Sequence, residues 1–183
     1  MKIITGNPGT GKHTIAKWIS KKFNCDIIDI NRIAIDQGVF KKNKGILDVD
    51  VSKLKRIINK MTSKNSILVG HLAPYVISTK NVEVVVVLRK NPYKLQHIYK
   101  KRKYSNKKSL ENLGSEILGI VYYDSIREFG RRKTFQLDTS NETISHTVNK
   151  VASILNGTNK IDDNVDWLHL VLKKGDMRKF FPY

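Results

Sequence analysis

Nine residues near the N-terminus restrict this chain more than any other feature. Gly6-Asn7-Pro8-Gly9-Thr10-Gly11-Lys12-His13-Thr14 follows a short apolar run, Lys2–Thr5, and opens a helical pattern, Lys12–Phe23, with Ile15, Ile19 and Phe23 on one stripe. Glycines at these spacings let backbone N–H groups curl inward around an anion, and the helix N-terminus adds a favourable dipole. A lysine at the mouth supplies a point charge between the β- and γ-phosphates of ATP. The segment therefore reads as a phosphate-binding loop, with Gly9, Gly11, Lys12, His13 and Thr14 as its contacts. Such loops usually carry Ser or Thr directly after the lysine, to hold Mg2+. Here that place is His13, read as a backbone phosphate contact, and the hydroxyl comes one residue later at Thr14.

The remaining pattern supplies the sheet that such a loop requires. Strands are expected at 26–30, Ser66–Val69, 82–88 and 134–137, the third of these nearly continuous in β-branched residues, as for a strand covered on both faces. Between them fall a short helix at 31–37, a basic loop at 41–45, a Ser52-capped helix at 53–62 and a helix at 92–102. One long amphipathic helix is expected at 109–129 and a last one at 141–155. Strands alternating with helices predict an α/β three-layer sandwich around a five-stranded parallel sheet. Residues 1–157 form the expected domain, and 158–183 a C-terminal extension with an acidic cluster (Asp162, Asp163, Asp166) and a basic aromatic end.

Charge narrows the partners. Lys and Arg total 34 against 16 Asp and Glu, a net charge of +18, which attracts nucleotides, RNA or anionic surfaces. Nine of those cations lie between Arg89 and Lys108 without one acidic residue. On the residues alone this stretch reads as a mobile cationic lid over the phosphates, as a solvated charge run, or as an RNA contact. A single cysteine, Cys25, and no charged-then-apolar leader point to a reducing, cytoplasmic compartment. The apolar runs are too short to span a membrane.

Together these pieces resemble the adenylate kinase isoenzyme 6 family (CINAP-type), and especially its archaeal adenylate kinase members. The resemblance rests on the 6–14 loop, Asp29-Ile30-Asn31-Arg32-Ile33-Ala34, Asp48-Val49-Asp50-Val51, Gly70-His71-Leu72 and Val87-Leu88-Arg89 followed by Asn91-Pro92. Further pieces are Arg102 with Tyr104-Ser105, Glu111-Asn112 and Val165-Asp166-Trp167, all in family order. It implies an adenylate-kinase-like P-loop NTPase fold with an NMP-binding segment at about 29–52 and a short lid at about 102–112. It also implies ATP and Mg2+ as cofactors, with nucleoside monophosphate kinase and ATPase activities. Lys12, His71 and Arg102 would carry catalysis, Arg102 touching ATP. Asp29, Arg32, Asp50 and Arg89 would meet the monophosphate, and Thr14 and Asp29 the metal. The implied partners beyond AMP are protein eleven of the small ribosomal subunit and its pre-rRNA, in late subunit maturation. The sequence departs from the family where an aspartate usually precedes Gly-His, for here that residue is Val69. Three activities stay open on this reading: an NMP kinase, an ATPase assembly factor, and a nucleotide-gated adaptor.

Overall fold

A strand that is apolar on both sides demands cover on both faces, and the sheet is built around such strands. The computed structural model describes residues 1–43, 46–61, 63 and 65–182. The chain runs β1 (Lys2–Thr5), α1 (Lys12–Phe23), β2 (Asp26–Asp29), α2 (Ile30–Asp36), β3 (Phe40–Asn43), β4 (Ile46–Val49), α3 (Val51–Met61), β5 (Ser66–Val69), α4 (Ala73–Val76) and β6 (Val84–Arg89). It continues with α5 (Pro92–Lys101), α6 (Asn106–Ile117), α7 (Ile120–Phe129), β7 (Thr134–Asp138), α8 (Ile144–Leu155), α9 (Trp167–Lys173) and α10 (Met177–Phe180). Among the described residues, five strands pair in parallel in the order β2-β5-β1-β6-β7.

Alternation along β6 sorts its side chains between two cores. Val85 and Val87 join Ile3, Ile28 and Leu68 on one face, under α2, α3, α4 and α7. Val84, Val86 and Leu88 join Ile4, Ile67 and Val69 on the other, under α1 and α8. This is the expected three-layer sandwich. A third cluster unites α5 and α6 with the C-terminal extension, through Leu95, Tyr99, Leu113, Ile117, Val171 and Phe180. The extension thus folds back. On its way, 161–164 straps the edge of β7: Gln136 N donates to Asp162 Oδ1 at 2.8 Å, Asp163 N to the Gln136 carbonyl at 2.9 Å and Asp138 N to Asp163 Oδ2 at 2.9 Å. Those bonds occupy backbone groups that an open edge would offer to another chain.

Four expectations about local structure are corrected. The stretch at 41–45 is not simply a loop: Lys41 lies in β3, which pairs antiparallel with β4, Phe40 opposite Val49 and Lys41 opposite Asp48. Positions 44 and 45 fall outside the described residues. Helix α3 starts at Val51 and is capped by Asp50, whose Oδ1 accepts from Lys53 N at 3.1 Å, so Ser52 sits inside the first turn. The expected end of that helix, Thr62, falls outside the described residues. The last helix begins at Ile144, because the Thr143 hydroxyl accepts from His146 N and ends the loop there. The long helix at 109–129 is two helices. Gly119 takes φ 66°, which stops α6 and restarts the chain as α7 in a new direction. Both halves are amphipathic, so periodicity alone does not mark the break.

Left-handed backbone costs an L-residue roughly 1–2 kcal/mol. A Cβ at Gly119 would also stand 3.2 Å from the Tyr123 ring. Gly119→Ala is therefore expected to destabilise the fold by at least about 1 kcal/mol in urea unfolding. An unchanged midpoint would mean that the α6–α7 break is not fixed by this residue.

Candidate active site

The loop between β1 and α1 is shaped by positions where a side chain cannot fit. Gly6 has φ 135°, and a Cβ there would lie 2.3 Å from the Leu88 carbonyl oxygen, so the loop passes against the end of β6. Gly11, with φ 97°, turns the chain into the first residue of α1, which is Lys12. Neighbouring elements pin the loop from outside. Tyr99 Oη donates to the Pro8 carbonyl at 2.7 Å, Thr139 Oγ1 to the Thr10 carbonyl at 3.0 Å, and Asn7 Nδ2 to Glu116 Oε2 at 2.8 Å. Inside it, Lys12 Nζ donates to the Asn7 carbonyl at 3.1 Å.

This loop forms one wall of a cavity of about 830 Å3. Gly9, Gly11, Lys12, His13 and Thr14 line the wall, Asn31, Asp48 and Val49 face it, and His71 closes the floor. Arg102, Tyr104, Lys107 and Lys108 come over from the turn between α5 and α6. That turn is stiffened by Tyr104 stacking on Tyr99 at 5.3 Å between centroids, with the Lys108 ammonium 4.4 Å over the Tyr104 ring. A volume of this size and its cationic lining suit a nucleotide.

Crowded, dry cations set the electrostatics. Burial and then the Arg102 charge push the Lys12 amine down to about 8, while Asp29 and Glu116 work in the other direction. Burial, then Lys12 and His13, push the His71 imidazole down to about 4, so it is neutral near pH 7. Its Nδ1 is buried without a hydrogen-bond partner, an atom available to a bound group. Burial acts to raise the Asp29 carboxyl. The hydrogen bonds it accepts from His13 and from the backbone of Arg32 and Asn31 outweigh that and hold it below its ordinary value. The His13–Asp29 contact is 3.1 Å from Nε2 to Oδ2.

The residues expected from sequence divide into two groups. Gly9, Gly11, Lys12, His13, Thr14, His71 and Arg102 converge on the one cavity. Asp29 stands behind His13. Arg32 is exposed and reaches Asp36 at 3.4 Å, and Asp50 caps α3 while meeting Lys41 at 3.1 Å, so neither lines the cavity. Arg89 also lies elsewhere. It is buried, with Nε on Glu116 Oε1 at 2.9 Å, one terminal nitrogen on Gln136 Oε1 at 2.8 Å and the other on the Glu116 carbonyl at 2.7 Å. Sequence reasoning missed Asn7 and Glu116 as loop supports. The signal available for Glu116 was a carboxylate one turn from Leu113, on the apolar stripe of α6.

The donors near the loop suit a hard cation that keeps most of its water: the Thr14 hydroxyl at the cavity wall, with the Asp29 carboxylate one ion pair behind it. Among the described residues no three His, Cys, Asp or Glu side chains gather into a metal-binding group. Most oxygens around such an ion would come from the phosphates and water.

Two outcomes follow from this geometry. An anion needs Lys12 charged, and Lys12 loses its proton as pH rises through about 8. ADP affinity by calorimetry is expected to hold from pH 6.5 to 7.5 and to fall by up to about tenfold per pH unit above 8. Arg89→Ala would leave Glu116 as an uncompensated buried charge. It is expected to cost about 3–5 kcal/mol of stability, whereas a group serving only the substrate would lower turnover and leave the melting temperature alone.

Comparison with known proteins agrees with this arrangement. The model of a family described as an AAA domain matches residues 3–119. A protein of Methanococcus maripaludis named "Putative adenylate kinase" is 30% identical over 173 residues, covering 90% of this chain and 93% of its own. One of the same name from Thermococcus onnurineus is 27% identical over 166 residues, covering 90% and 89%. Among solved structures, shikimate kinase from Acinetobacter baumannii superposes with a TM-score of 0.55 at 18% identity, over 86% of this chain and 94% of that one. Deoxyadenosine kinase from M. mycoides gives 0.50 at 20% identity, over 86% and 100%. At these identities the two structures bear on the fold alone. The family model spans well over half of the sequence and the relatives reach 30% identity across nine-tenths of it, so this chain belongs to that AAA domain family, together with the archaeal proteins of that name.

Proposed function

We propose that this protein is a nucleotide kinase that moves the γ-phosphoryl group of ATP to AMP or a related nucleoside monophosphate. The observation that carries the reading is the single cavity between the 6–14 loop, the 29–52 segment and the 102–112 lid. A donor and an acceptor phosphate have room to meet there with cations on both sides. Phosphoryl transfer asks a protein mainly for positioning and charge neutralisation, and for the exclusion of water. Lys12 neutralises from the loop side and Arg102, Lys107 and Lys108 from the lid. With Arg89 committed to Glu116, the lid cations are the groups left to hold the acceptor phosphate. Neutral His71 presents Nδ1 to orient the acceptor oxygen or a water. Thr14 and Asp29 are the protein groups that would hold a bound Mg2+, which would supply charge neutralisation at the phosphates. The names of the archaeal relatives support an adenylate kinase in particular.

A second reading is favoured by Val69. This residue is fully buried at the end of β5, at the place where the family resemblance puts an aspartate for metal and water. A weaker hold on the metal suits slow ATP hydrolysis, and the +18 charge suits work on the small ribosomal subunit, its protein eleven or its pre-rRNA.

Product analysis with Mg2+ and ATP, with and without AMP, separates the two. ADP formed rapidly only when AMP is present supports the kinase. Equal phosphate release in both samples supports the ATPase and ends the kinase reading. Under either, Lys12→Met is expected to lower turnover by about 100-fold or more; undiminished turnover would remove the loop from the mechanism.

A further inference from the structure

We propose that the C-terminal extension is part of the nucleotide site, with Trp167 a positioning residue that holds the phosphate loop through Glu116. The proposal rests on the reading of 6–14 as the nucleotide loop. Its basis is an unbroken chain of hydrogen bonds. Trp167 Nε1 donates to Glu116 Oε1 at 3.1 Å. The same oxygen accepts from Arg89 Nε at 2.9 Å and Lys90 N at 3.0 Å. The other oxygen, Oε2, accepts from Asn7 Nδ2 at 2.8 Å, and Asn7 is itself buried. The Asn7 carbonyl then takes Lys12 Nζ at 3.1 Å and the Thr10 hydroxyl at 3.0 Å. Three bonds thus separate the indole of the extension from the lysine that faces the phosphates.

The indole is held in place. Asp166 Oδ1 accepts from His169 N at 2.8 Å and starts α9 beside it. Further along, Tyr93 Oη donates to Asp176 Oδ2 at 2.7 Å, and Phe180 is buried edge-on against Tyr93 at 5.2 Å. The extension therefore packs on the two helices, α5 and α6, whose connection carries Arg102 and the other lid cations. A fully buried carboxylate is costly unless every lone pair is used, and networks of this kind hold one arrangement of their partners. Remove one donor and Glu116 can rotate away from Asn7, which loosens the loop carbonyl that positions Lys12.

The test uses full-length protein carrying Trp18→Phe, an exposed site on α1, so that Trp167 is the only indole. Titration with ADP is expected to change Trp167 emission along the calorimetric binding curve. In otherwise wild-type protein, Trp167→Phe keeps an aromatic ring in the cluster and removes the N–H donor together with the smaller ring of the indole. It is expected to bind ADP about five- to tenfold more weakly while still melting cooperatively. Glu116→Gln, which keeps the shape and removes the charge, is expected to weaken ADP binding to a similar degree and, in the Trp18→Phe background, to uncouple Trp167 emission from ADP binding, a spectroscopic loss that a merely structural role would not produce. Wild-type ADP affinity in Trp167→Phe, together with Trp167 emission indifferent to saturating ADP, would overturn the proposal and leave the nucleotide reading standing. If the unaltered protein bound no ADP, both would fall.

Discussion

The buried Glu116 carboxylate is the constraint that the rest of the site depends on. It sits at the meeting point of four segments: the phosphate loop through Asn7, the end of β6 through Arg89 and Lys90, α6 by its own backbone, and the extension through Trp167. A charge in that place has no water to fall back on, so its partners must all be present and correctly placed. This requirement accounts for two otherwise separate features. Arg89 is turned inward, although it stands at the C-terminal end of a sheet strand, where open α/β sheets bind their ligands. Gln136, on the neighbouring strand β7, turns its side-chain oxygen to an Arg89 terminal nitrogen at 2.8 Å, so that the buried guanidinium is satisfied on both sides.

The same logic distributes charge over the molecule. Many of the acidic groups are used internally. Asp162 pairs with Arg131 and accepts from Gln136 N, and Glu142 meets Lys150. Asp163 accepts from the backbone of β7, and Asp29, Asp50 and Asp166 accept at helix starts. The chain still carries a net +18, and Lys12, Arg102, Lys107 and Lys108 concentrate part of it on the cavity. A site walled this way raises the local concentration of polyphosphate before any specific contact forms. Burial and the Arg102 charge both hold the Lys12 amine below its ordinary value, and an anion placed between these cations would act in the opposite direction.

How much of this was legible in the sequence varies by residue for physical reasons. The loop was legible because Gly6, Gly9 and Gly11 before Lys12 encode a backbone path that few other sequences can follow. The parallel sheet was legible from the strand expected at 82–88, whose β-branched run Val84–Val87 has apolar neighbours on both faces. The cations that line the cavity from 102–108 were legible as a run without acidic residues, though not whether they serve as a lid. The hairpin of β3 and β4 was hidden by its lysines, which resemble a solvated loop. The turn at Gly119 was hidden because the apolar stripe resumes on the far side of it. Glu116 was hidden most deeply: a glutamate in an amphipathic helix normally faces solvent, and only its partners from 109 residues upstream and 51 downstream reveal that this one does not. Arg32 and Arg89 illustrate the converse. Both have the right chemistry for a phosphate clamp, but a side chain's local partners decide where it points.

His13 and Val69 stand at two places where a metal contact is expected: directly after the loop lysine, and at the end of β5, where the resemblance to the adenylate kinase isoenzyme 6 family implies an aspartate. The hydroxyl usually found after the lysine is replaced by an imidazole that turns to Asp29, and the usual strand-end carboxylate is replaced by a buried valine. What remains near the phosphates is the Thr14 hydroxyl and a ring of cations. On the proposed kinase reading, neutralisation of the transferring group rests more on Lys12 and the 102–108 cations, and less on an ion held by the protein. The precise hold on Lys12 therefore matters more in this chain than in one with an aspartate at the end of β5, and the hydrogen bonds that reach Lys12 through Asn7 supply that hold.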